Sequence, residues 1–144
     1  MLGTLGASQI EDVLRAGTVG RIGVHEGGRT YVVPVSYAYD GDAVYVHSPE
    51  GQKVRMMRAS PDVCFEVEEI DDLANWRTVI AWGRFEELEG DIASAAVNLL
   101  VARLAPLRSS ETAGPAGPAA GTAGAAGVAY RIRLTERTGR FEKS

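Results

Sequence analysis

Tyr31-Val32-Val33-Pro34-Val35-Ser36-Tyr37, then Asp40-Gly41-Asp42, then Ala43-Val44-Tyr45-Val46-His47 is the stretch that decides the fold. β-Branched and aromatic side chains crowd a helix but suit a pleated surface, so both flanking runs read as strands. The small residues between them supply a tight turn, and the two strands are expected to pair as a hairpin. Ser48-Pro49-Glu50-Gly51 is loop chemistry. Gln52 to Ala59 then carries helix formers, with Val54, Met57 and Arg58 at helical spacing, and Ser60-Pro61 stops it.

The polar groups of this unit fall in a suggestive order. His47 and Ser48 end a strand, and Lys53 lies in the first turn of the helix after the loop. The first backbone N–H groups of a helix lack intrahelical partners and its dipole is positive there, so a lysine and a hydroxyl at that place suit a phosphate. The alternative reading makes Lys53 a solvated surface lysine and Ser48 a helix cap.

Working outward, Ser8-Gln9-Ile10-Glu11 has the pattern of a capping box, and a helix is expected from Ser8 to Ala16 with Gly17 ending it. Val19 to His25 reads as a strand, and Glu26-Gly27-Gly28-Arg29 turns it into the central stretch. The glycines at 17, 20 and 23 imitate a dinucleotide fingerprint, but no helix opens after them. Val63 to Glu68 alternates as a half-exposed strand, with Cys64 expected in the core, and Glu68-Glu69-Ile70-Asp71-Asp72 reads as a charged connecting loop. Trp76 to Leu88 is β-rich, and its internal Gly83 suggests a bulge or a close backbone approach. Ile92, Ala96, Leu99, Leu100 and Leu104 recur at helical spacing. From 109 to 127 Ala, Gly and Pro dominate, offering little side chain to bury against the entropy of ordering, and a mobile loop is expected. Val128 to Phe141 returns to alternation, with Tyr130, Ile132 and Leu134 on one face and Arg131 and Arg133 on the other.

The 144 residues are 45% hydrophobic, enough for a single domain, 1–144, with its own core. A net charge of −4 and a pI near 5.2 provide no basic footprint for nucleic acid or an anionic membrane. One cysteine cannot form an internal disulfide, no apolar run reaches the roughly 20 residues that span a bilayer, and no secretory leader is recognisable. A cytoplasmic location is expected, with neither a membrane nor a nucleic acid as partner.

The ordered set of motifs resembles the flavin-binding split barrels of the pyridoxamine 5′-phosphate oxidase-like superfamily. The matching pieces are Val32 to Ser36, Tyr45-Val46-His47-Ser48, Gly51-Gln52-Lys53 and Ser60-Pro61-Asp62-Val63. Further on come Asn75 to Val79 with Gly83-Arg84, and Tyr130 to Leu134 with Thr138-Gly139-Arg140. The resemblance implies a mainly β chain with peripheral helices, a split β-barrel of the FMN-binding type. It also implies a homodimer with FMN sites between subunits and a small-molecule substrate. On that reading Gln52, Lys53 and Ser48 address the phosphate, and His47 contacts the phosphate or ribityl region. Val33, Pro34, Val35 and Ser36 offer ring wall and main-chain hydrogen bonds, and Trp76 and Thr78 lie across the ring. Trp82, Arg55 and Arg58 are read as packing or surface residues, and no metal site is expected. Gln52-Lys53 stands where oxidases of the vitamin phosphate carry an Arg-Lys pair. Residues for a second, substrate phosphate are not recognisable, which argues against authentic pyridoxamine phosphate oxidation. The expected activity is flavin-dependent electron transfer to a small acceptor; the alternatives are a flavin carrier or sensor, and a deazaflavin-dependent reductase.

Overall fold

The computed structural model describes residues 1–107 and 127–144. Its elements are β1 (Leu2–Thr4), α1 (Ala7–Ala16), β2 (Val19–Glu26), β3 (Arg29–Ser36), β4 (Ala38–Tyr39), β5 (Ala43–Pro49), α2 (Gln52–Ala59), β6 (Asp62–Asp72), β7 (Asn75–Glu87), α3 (Gly90–Leu104) and β8 (Gly127–Glu142). One antiparallel sheet runs in the order β3-β2-β6-β7-β8-β5-β4, with β1 added to β8. β3 and β4 lie at opposite ends of that order, yet Tyr37 alone separates them in the chain. Consecutive Cα atoms are about 3.8 Å apart, so Ser36 and Ala38 bring the two edges together. The sheet therefore curls into a barrel that is split between them. Tyr37 pins this crossing: its ring is fully buried, its hydroxyl donates to the Leu14 carbonyl at 2.7 Å, and it meets Phe65 edge to face at 4.9 Å.

The fold is the expected split barrel, but its pairing differs from the sequence reading. β3 pairs with β2 through the Gly27-Gly28 turn, not with β5. The Asp40-Gly41-Asp42 turn does close a hairpin, with Asp40 accepting hydrogen bonds from the Asp42 and Ala43 amides, but the partner strand is the two-residue β4. A local turn specifies its own hairpin and nothing beyond it. β3 is an edge strand, which suits Pro34, since one side of it needs no N–H. α1 is capped by Gly6, whose amide donates to Gln9 Oε1 at 2.8 Å, so the Ser8 and Glu11 capping box does not form.

β6 continues through Asp72, turning the supposed acidic loop into strand. Val63, Phe65 and Val67 face inward, so alternation puts Cys64 on the outer face, half-exposed and not in the core. Among the described residues no acidic or histidine cluster forms a metal site. The segment read as a mobile loop at 109–127 lies outside the described residues except for Gly127, which opens β8 opposite Pro49.

α3 lies across β4, β5 and β8, burying Ala96, Leu100 and Leu104 while Ile92 stays exposed. The 18 residues Gly90–Leu107 are apolar enough, by length and composition, to cross a membrane, a run the sequence reading had excluded.

Gly83 sits at a register shift between β7 and β8, as its position inside a strand suggests. A Cβ there would collide with the Arg133 carbonyl, and backbone cannot rotate away as a side chain can. Gly83→Ala is expected to cost about 1–3 kcal/mol, read as a lower denaturant midpoint with the slope unchanged.

Candidate functional site

β5 runs into α2 through Glu50 and Gly51, and the start of that helix is chemically unusual. Gly51 is its N-cap in extended conformation, with no side-chain cap and no acidic residue in the first turn. Ser48 therefore does not cap the helix. Lys53 occupies the second helical position and is half-buried. Burial holds its ammonium below the usual lysine range, and among the described residues it forms no ion pair. A cation at a helix N-terminus is opposed by the dipole, and burying it adds a desolvation cost. An uncapped set of N–H donors beside such a lysine is suited to an oxyanion.

Arg58 holds this turn in place. Its Nη1 donates to Glu50 at 2.9 Å and its Nε to Glu87 at 2.7 Å, tying α2 both to the loop before it and to the C-terminal end of β7. Arg58 is thus the surface ion-pairing residue expected. Gln52 turns its amide toward Met56 Sδ at 3.8 Å.

Along β5 the side chains alternate, so His47 and Ser48 leave the strand on opposite faces. Ser48 points inward with Val44 and Val46 and is 6% exposed. His47 is half-buried, and burial lowers its imidazole pKa. It lies against Gly127, where a Cβ would collide with its ring. Gly127 escaped the sequence reading because it ends a run in which glycine is commonplace.

Of the β3 residues, Val35 is in the barrel core with Val54 and Met57, and Val33 packs against it. Pro34 and Ser36 face out. Pro34 stands opposite Arg21, which pairs with Glu66, which pairs with Ile80, so it shares a transverse row with the middle of β7. Trp76 and Thr78 lie at the other end of that strand. Trp76 Nε1 donates to Glu142 at 3.2 Å and borders an open cleft of about 360 Å³ with Gln9, Arg77 and Phe141. Thr78 is opposite Glu68 and Arg140. Trp76 precedes Glu87 by eleven positions on β7. At about 3.3 Å per residue that is roughly 30 Å or more along the strand. One chain therefore places Gln52 and Lys53 at the start of α2, keeps Trp76 and Thr78 well apart from them, and turns Ser48 into the barrel instead of toward the phosphate position expected of it.

The outer face of β3, β2, β6 and β7 is mixed: Arg21, ion-paired with Glu66 and Glu68, lies among exposed apolar side chains. Val19 is 54% exposed, Val32 62%, Ile80 42% and Trp82 41%. The row Val32–Gly23–Cys64–Trp82 adjoins the row that holds Pro34 and Ile80.

Comparison with known proteins gives a consistent picture. The profile of the pyridoxamine 5′-phosphate oxidase family matches residues 6–141. The uncharacterized protein RA0666 of Rhizobium meliloti (strain 1021) is 32% identical over 80 residues, 56% of this chain. The match covers 53% of RA0666, so the chain spans about half the length of this curated relative. Among solved structures, a FAD-binding protein (mll6688) from Mesorhizobium loti is similar at a TM-score of 0.77 and 30% identity over 99% of both chains. The flavocytochrome Anf3 from Azotobacter vinelandii is similar in fold at a TM-score of 0.71 and 17% identity, over 96% of this chain and 68% of that one.

Proposed function

The chain belongs to the pyridoxamine 5′-phosphate oxidase family, and from that premise we propose that it is an FMN-binding oxidoreductase, acting as a homodimer on a small-molecule acceptor. The observation that carries this reading is the start of α2, where an uncapped turn and a half-buried lysine without a carboxylate partner among the described residues await an anion. Gln52, Lys53 and the first-turn amides hold the phosphate. The outward-facing Pro34 and Ser36 supply ring wall and the main chain of Val33, Val35 and Ser36 supplies donors, while His47 borders the ribityl chain. A bound flavin would supply two-electron chemistry between a reduced donor and the acceptor. The protein's part is to bind, orient and screen the ring.

Two features support dimerisation. Lys53 and Trp76 of one chain are too far apart to serve one flavin, so a site that uses both takes Trp76 and Thr78 from a second copy. The exposed Val32, Pro34, Ile80 and Trp82 lie around the ion-paired Arg21, Glu66 and Glu68, a mixed apolar and charged face of the kind such a copy would cover. The likeness to the FAD-binding protein of Mesorhizobium loti makes FAD an alternative cofactor, and a deazaflavin is the other.

The test is an absorption spectrum of the purified protein with mass spectrometry of the released ligand. A flavin spectrum and the mass of FMN are expected. A colourless preparation that takes up no added FMN overturns the reading. Sustained oxidation of a reduced nicotinamide in the presence of an acceptor separates an oxidoreductase from a carrier.

A further inference from the structure

The imidazole of His47 lies directly on the backbone of β8. A Cβ at Gly127 would stand 2.5 Å from His47 Nε2 and closer still to Cε1, so the ring fills the space that any other residue at 127 would claim. β5 and β8 pair antiparallel, with His47 opposite Ala129 and Pro49 opposite Gly127. Side chains two apart on a strand share a face, so Gly127 and Ala129 are two small steps of β8 beside the ring, and Tyr45 and Arg131 form the next pair along. The backbone does not itself call for glycine here: the glycines of positive φ are Gly27, Gly28, Gly41 and Gly90, and Gly127 is not among them. Glycine weakens a strand and often marks a close approach, and the group that approaches is the imidazole. Burial alone lowers the His47 pKa. The ring is therefore neutral at neutral pH, with one donor and one acceptor nitrogen, and contact with main chain rather than a neighbouring charge sets where it lies.

We propose that Gly127 is a positioning residue for the flavin site: the bare main chain there seats the His47 imidazole against β8, at the end of β5 that leads through Glu50 and Gly51 into α2. This rests on the flavin reading above, in which His47 borders the ribityl chain. The seat itself is a property of the flavin-free protein.

In Gly127→Ala the atoms that the new methyl meets first are those of the His47 ring, which can turn away about its side-chain torsions. Histidine NMR titrations of the flavin-free protein, and FMN titrations, are run on wild type, Gly127→Ala, His47→Ala and the double variant. The chain has two histidines, and His25, bonded to Thr30 at 2.9 Å, is the internal reference. In Gly127→Ala the His47 pKa is expected to rise toward the ordinary histidine value as the ring moves into solvent, while His25 holds. The FMN Kd rises roughly three- to tenfold, as for a neutral hydrogen bond lost. The double variant binds no worse than His47→Ala, since Gly127 acts through His47. An unmoved His47 titration, unchanged FMN affinity in Gly127→Ala, or losses that simply add overturn the positioning role and leave the flavin reading standing. Loss of the fold in both Gly127→Ala and the double variant also overturns it, by making the glycine a requirement of the backbone. Wild-type protein that takes up no FMN overturns both.

Discussion

Lys53→Ala lowers FMN affinity by about 1.5–3 kcal/mol, roughly ten- to 150-fold, the range for a hydrogen bond to a charged group. The expected loss lies in the loaded state, not in the fold. In the empty protein Lys53 is a half-buried cation at the unfavourable end of a helix, and burial already lowers its pKa. Its removal should therefore leave the flavin-free Tm unchanged or raised. The sign of the pH dependence follows. A lysine whose folded pKa lies below its unfolded value opposes folding while charged, so stability rises as pH climbs from the lowered value toward the ordinary one. FMN affinity moves the other way, falling over the same range as the ammonium is lost, and the fall disappears in Lys53→Ala. Isothermal titration across alkaline pH measures the affinity, and thermal unfolding of the flavin-free protein over the same range measures the stability. Unchanged affinity at neutral pH removes Lys53 from the site.

The second large effect concerns how the site is assembled. Lys53→Ala and Trp76→Ala are each expected to weaken flavin binding as pure variants. In a mixed dimer containing one of each, a site built from Lys53 of one subunit and Trp76 of the other is intact, while the second site carries both changes. Co-expressed, differently tagged variants purified through both tags should bind close to one FMN per dimer with wild-type affinity. A site built within a single chain leaves no intact copy in the mixture, and failure to recover binding would discard the shared arrangement. The separation of the Arg58–Glu87 end of β7 from its Trp76 end makes the outcome decisive.

Much of this molecule is written locally. The helix Gln52–Ala59 has the bounds that its formers and Ser60-Pro61 imply. The alternation of Tyr130, Ile132 and Leu134 against Arg131 and Arg133 survives as buried and half-exposed faces, and Gly83 marks the bulge expected of it. Each of these depends on residues within a few positions of one another. Lys53 at a helix start was legible for the same reason, since N-terminal position and charge are both local properties.

Partnership between distant segments was decided elsewhere. The run Tyr31 to Tyr37 has the composition of a strand, but composition does not say that its neighbour is β2 and not β5; burial of both strands in one barrel does. Cys64 was misplaced because a small sulfur side chain suits either face, and inward-facing Val63 and Phe65 set the register. The division of the candidate site into a Lys53 end and a Trp76 end arises from the length and direction of β7, and the contact of His47 with Gly127 from the pairing of β5 with β8. Local patterns thus determined which segments are strands and helices and where an anion would be welcome. Only tertiary structure decided which side chains meet, because strand register is fixed by the collective burial of a face and not by any one residue on it.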